Sequence, residues 1–182
     1  MKTEMSTERS LEIITLMIKE SKETYKHHNF YFLLWGWLMI SSSLAEYYLL
    51  SIDYEFHFLP WAVFSILGGI VSGIKGSRDK MKHSTFADKI ISYTWLGFVI
   101  TMMITLIAVV PSNPNPFVLL LAGLATFITG GITQFKGFII GGIVFWIAAI
   151  VSFQLDLQSS LLVYALAMFL GYIVPGYLLK KS

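Results

Sequence analysis

Six apolar runs, each about as long as a lipid bilayer is thick, leave this chain few folds to choose from. They cover residues 30–50, 58–74, 90–110, 117–135, 138–155 and 161–179. At 1.5 Å per helical residue, runs of about 17 to 21 residues match the ~30 Å hydrocarbon core. Backbone polar groups find no water in lipid, so runs of this kind cross as helices. Composition agrees, with 55% hydrophobic and 13% charged residues against roughly 25% charged in soluble domains. The expected class is an all-α polytopic membrane helix bundle of six transmembrane helices. It divides into a segment at 1–28 and a membrane domain at 29–182, with no room for a separate enzyme.

Orientation follows from the 13 lysines and arginines. Basic residues near span ends favour the cytoplasmic side. With the N-terminus inside, all of them fall in the N-terminal segment, the 75–89 loop, Lys136 and the Lys180-Lys181 tail. The opposite side holds only Asp53, Glu55 and Asp156 as loop charges. The expected topology is therefore both termini in, in a bacterial inner membrane. Tyr31, Trp35 and Trp37 near the inner end of the first run, with Tyr47, Tyr48 and Trp61 near the outer surface, suit the aromatic belts. Trp146 falls mid-span, where its indole N–H needs an acceptor.

Before the first run, Leu11, Ile14, Ile18 and Tyr25 recur at helical spacing, which predicts a cytosolic amphipathic helix over 7–28. Its four acids offset its four bases, so it reads as a stalk or a partner-binding helix rather than a polybasic lipid binder. No apolar h-region precedes a cleavage site, so no signal peptide is expected.

Lipid supplies no hydrophobic force between helices, so small residues should mark the seams. Ser65, Gly68, Gly69, Ser72 and Gly73 are expected to line one side of the second run. Thr94, Gly97, Thr101, Thr105 and Ala108 make a similar stripe in the third. The Lys136-Gly137 pair predicts a tight hairpin in which Gly130-Gly131 and Gly141-Gly142 meet at similar depth. Near the C-terminus Gly171, Pro175 and Gly176 form a candidate hinge, because proline removes a helical donor. Packing glycine and an ordinary kink are the plain readings of both features.

LEIITLMI before the membrane, FYFLLWGWL, GLATFITGGI and GYIVPGYLLK together resemble an uncharacterised family of small six-span inner-membrane proteins from Bacteroidetes-type bacteria. The resemblance runs over nearly the whole chain. It implies an inner-membrane location and carries no assigned activity, so it transfers no functional residue.

No catalytic constellation emerges. Cysteine is absent, which removes thiolate ligands and nucleophiles. Ser72-Gly73 lacks the GxSG spacing of a rhomboid-type serine, and no span contains a histidine to act as base. With all four histidines in loops or at helix ends, haem and buried zinc are not expected. Neither catalytic residues, nor metal ligands, nor a cofactor are assigned. Scattered basic residues without aromatic interleaving argue against nucleic acid.

Glu46 stands apart as the one ionisable residue well inside a span, where charge is costly. It falls about 9 Å past the span midpoint at 1.5 Å per residue, near the outer surface. A hydrogen-bonded structural carboxylate is one reading; a substrate or proton site opening outward is the other. Its expected partners are His57, Gln154 and Tyr164. With Thr101, Thr105 and Trp146 these make a candidate polar cavity. The leading functional expectation is a non-catalytic regulatory or scaffold protein using its N-terminal helix and the 75–89 loop to hold a protein partner or a second copy. The alternative is a transport or binding subunit for a small molecule or ion, with an outward cavity near Glu46.

Overall fold

The structure, a computed structural model, describes the backbone of residues 7–80, 86–109 and 112–180, and the side chains of 29–78, 86–107 and 112–178. Every regular element among the described residues is helical. The helices are α1 (Thr7–Ser51), α2 (Leu59–Lys80), α3 (Phe86–Ile104), α4 (Asn115–Thr133), α5 (Lys136–Ser152), α6 (Leu157–Met168) and α7 (Val174–Lys180). A π-helical turn, Thr105–Val109, prolongs α3, and another, Phe169–Ile173, joins α6 to α7.

Four stretches are long and apolar enough to cross a membrane: Leu59–Arg78, Phe86–Ile107, Asn115–Thr133 and Leu157–Leu178. The 17 residues of α5 are shorter, about 26 Å at 1.5 Å per residue. Residues 30–50 are not among the four, because tryptophans, tyrosines, three serines and Glu46 dilute their hydropathy. They lie inside α1, whose 45 residues run without a break from Thr7. No change of secondary structure therefore separates 7–28 from 30–50. The side chains of Leu11, Ile14, Ile18 and Tyr25 lie outside the described residues.

Each turn has a local cause. Helix α1 ends in a Schellman motif: Tyr54 N–H donates to Leu49 O at 3.0 Å, Asp53 N–H to Leu50 O at 3.1 Å, and Asp53 takes φ 53°. Helix α4 ends the same way, with Gln134 at φ 54° and Phe135 N–H on Gly130 O. Satisfying the last carbonyls in this manner stops a helix. Pro116 is tolerated in the first turn of α4, where its missing donor is not needed. Asp156 caps α6, its carboxylate accepting from Ser159 N–H at 3.0 Å. That hydrogen bond holds the Asp156 carboxyl below its ordinary pKa.

The core lies between α1, α4, α5 and the α6–α7 rod. Phe32, Phe138, Phe145 and Tyr172 meet there, with Phe32–Phe138 ring centroids 4.0 Å apart and Phe145–Tyr172 centroids 4.8 Å apart. Helix α3 leans Trp95 against Phe32 at 5.8 Å. Half of the most apolar stretch of α4 and of Leu157–Leu178 is buried, against 6% in α2 and α3. Helix α2 packs mainly on α1, and α3 mainly on α4; these two form the periphery.

Two expected seams are corrected. The α4–α5 turn is Gln134-Phe135, and Lys136 already opens α5. The hairpin centre therefore lies two residues earlier than Lys136-Gly137, and the glycine pairs do not oppose each other. Gly130 packs on Phe138 and Ile139, Gly142 packs on Gly123 and Phe127, and Gly141 turns to Gly171 of the rod. In α2 the small residues divide between two faces. A Cβ on Gly68 would strike Leu38 and Trp35 of α1, and Ser72 accepts from Trp35 Nε1 at 3.1 Å. Gly69 and Gly73 face away, with nothing within 4 Å of an added Cβ. A rotation of about 100° per helical residue here turns Gly68 onto α1 and Gly69 away from it.

Candidate functional site

Glu46 sits one turn above Ser42 and Ser43 on α1, and all three are buried. Ser43 Oγ donates to Leu161 O at 2.7 Å, fastening α1 to α6. Ser42 Oγ donates within its own helix to Leu38 O. This face therefore points into the bundle at the level where α1 approaches its end.

The Schellman reversal after Leu50 brings the chain back over that face. His57 Nδ1 then donates to Glu46 Oε1 at 2.8 Å. From the first turn of α2, Trp61 Nε1 donates to Glu46 Oε2. Both carboxylate oxygens are thereby used, which is what a buried carboxylate requires. His57 retains 29% side-chain exposure against 6% for Glu46, so the carboxylate is covered and the imidazole forms the rim. Trp61 in turn stands edge-on to Tyr164 of α6, centroids 5.2 Å apart at 86°. Three helices, α1, α2 and α6, are joined through one carboxylate and one indole.

Of the residues grouped by sequence, His57 and Tyr164 gather around Glu46, one by hydrogen bond and one through Trp61. The others lie elsewhere. Thr101 is exposed and its carbonyl accepts from Thr105 Oγ1 at 2.9 Å. Thr105 borders a small hollow in the α3–α4 seam with Met102 and Val118. Trp146 Nε1 finds Leu120 O at 3.3 Å, across the α4–α5 seam. Gln154 is exposed. A second hollow, of about 460 Å³, is open and lined by Val99, Ile100, Met103, Ile104 and Ile107 along α3. Neither hollow touches Glu46.

The hinge candidates are all buried. The carbonyl of Gly171 lies 2.5 Å from where a Cβ on Gly141 would stand, and Gly176 is pressed against Leu33 of α1. The π-helical turn just before Pro175 accommodates the donor that proline lacks.

Sequence reasoning missed two features. Trp61 looked like a belt aromatic, and only the fold turns its N–H toward Glu46. The other is the pair Asn113 and Asn115, for which no role was expected. Asn113 Nδ2 donates to Ser152 O at 3.3 Å and Leu155 O at 3.2 Å, while its Oδ1 accepts from Ser160 Oγ at 3.0 Å and Asn115 N–H at 3.2 Å. Asn115 Nδ2 adds a bond to Ser160 Oγ at 2.7 Å. Two asparagines between prolines in an uncharged turn were the available signal, since an amide can donate and accept at once.

Among the described residues, no group of three or more His, Asp or Glu is placed to hold a metal ion. No protein-family model, curated protein or solved structure matches the chain. The apolar helices mark it as compatible with an integral membrane protein.

Proposed function

We propose that this chain is a non-catalytic integral membrane protein that holds a protein partner, or a second copy of itself, through the N-terminal part of α1 and the basic 75–89 segment. It crosses a bacterial inner membrane six times with both termini in the cytoplasm. The observation that carries this reading is the length of α1. Its 45 residues extend about 68 Å at 1.5 Å per residue, more than twice the ~30 Å hydrocarbon core. Roughly half of the helix therefore projects beyond the bilayer as a rigid arm continuous with the bundle.

Two further features support it. The thirteen basic residues segregate to one side of the six-span map. Several buried polar side chains join helices to one another. Glu46 serves His57 and Trp61, and Ser43 serves Leu161. The transport alternative needs those groups around a common cavity, and they are spread over separate seams.

The test is cross-linking in native membranes, comparing the full chain with a deletion of residues 1–28. The expected result is loss of the partner or self cross-link while the shortened protein keeps a cooperative thermal transition in detergent. Association that survives the deletion overturns the reading.

A further inference from the structure

The connection between α1 and α2 alternates in character. Ile52, Tyr54, Phe56 and Phe58 take every second position, with Asp53, Glu55 and His57 between them. Tyr54, Phe56 and Phe58 are 45%, 48% and 52% exposed, yet their rings stand in file with neighbouring centroids 6.2 Å apart. Of the polar series, His57 is drawn onto Glu46. Asp53 occupies the left-handed cap position that reverses the chain. Both ends of the connection are thus tied to α1, and the aromatic file is held along the outside of the helical hairpin, where α1 ends and α2 begins.

We infer that this file is a membrane-interface anchor whose occupant is phospholipid, with Tyr54 and Phe56 seated at the boundary between headgroups and acyl chains. Aromatic rings favour that layer. The acidic residues between them decide in favour of lipid over a protein partner. At a bilayer surface Asp53 and Glu55 keep their water, whereas a protein covering the file would leave these carboxylates desolvated. Seated there, the anchor sets the depth of the α1–α2 hairpin and keeps His57 over Glu46. The inference rests on α1 and α2 crossing the bilayer.

The chain has no cysteine, so single-cysteine variants can each carry an NBD fluorophore in phospholipid vesicles. Suitable positions are Asp53→Cys, Tyr54→Cys, Glu55→Cys and Phe56→Cys, with Ile66→Cys on the exposed face of α2 as the span control. The expected result is a blue-shifted emission at 54 and 56, quenched by doxyl-labelled lipid, and a water-like emission at 53 and 55 quenched by iodide. Water-like emission at all four positions with a blue-shifted Ile66→Cys label overturns the anchor and leaves the spanning reading standing. Blue shifts at 54 and 56 that doxyl lipid fails to quench overturn it in favour of a protein cover. A uniform blue shift at all four positions overturns the alternation. Water-like emission from the Ile66→Cys label defeats the spanning reading on which the inference rests.

Discussion

Gly123 of α4 and Gly142 of α5 each leave the other's backbone carbonyl in the space that a side chain would occupy. A Cβ on Gly142 would stand 2.8 Å from Gly123 O, and one on Gly123 would stand 3.0 Å from Gly142 O. The two backbones thus approach more closely than any side chain at either position would allow. In lipid, where apolar surface gains nothing by leaving water, such close packing holds helices together.

Gly142→Ala should therefore destabilise the bundle by about 1–3 kcal/mol through overpacking. Gly131→Ala, where an added Cβ meets nothing within 4 Å, should stay within about 0.5 kcal/mol of the parent. Both substitutions add one methyl group to a helical glycine, so a large difference between them reports the clash. Reversible unfolding in mixed micelles measures it. Equal effects would show that the seam is looser than the contact implies.

Glu46→Ala leaves the Trp61 indole and the His57 ring without their acceptor and should cost about 1–3 kcal/mol. Glu46→Gln keeps one carbonyl oxygen for Trp61 and should cost less. A double-mutant cycle with Trp61→Phe should return a coupling of about 0.5–3 kcal/mol, as expected for groups in direct contact. A coupling indistinguishable from zero would mean that the Trp61–Glu46 hydrogen bond does not hold α2 to α1.

Asn113→Asp tests the polar staple at the other connection with almost no change in shape. The carboxylate places an acceptor where Nδ2 now donates to Ser152 O and Leu155 O. The loss should be about 1–3 kcal/mol, since one carbonyl at the end of α5 and one in the connection after it lose their donor. A thermal midpoint matching that of the parent would mean that water takes over both bonds.

The cap on α6 carries a pH signature. Hydrogen bonding to Ser159 holds the Asp156 carboxyl below its ordinary pKa, so the unfolded chain binds this proton more readily than the folded one. The contribution is fully present above the unfolded pKa and disappears as pH falls through the lower, folded value. Asp156→Ala should accordingly lower thermal stability at neutral pH, and the gap between variant and parent should close below about pH 4. A gap independent of pH would assign the cap's effect to something other than the carboxylate.

Apolar composition and run length were enough to predict an all-helical protein with several membrane-length helices, because hydropathy and reach are properties of a segment taken alone. Glu46 also stood out unaided, since one carboxylate inside an apolar run is visible without coordinates. The rotation of each helix about its own axis was not legible. Gly68 and Gly69 are neighbours in sequence, yet one is pressed against Trp35 and Leu38 while the other has open space. The register of the α4–α5 hairpin was likewise hidden, because Gln134 adopts a left-handed conformation that its side chain does not announce. His57 lies eleven residues beyond Glu46, near enough in sequence to be suggested as its partner. Trp61 reached the same carboxylate only because α2 packs through Gly68 and Ser72. Chain composition decided that these segments suit a membrane; mutual packing, which no single segment contains, decided which faces meet and where the buried charge finds its donors.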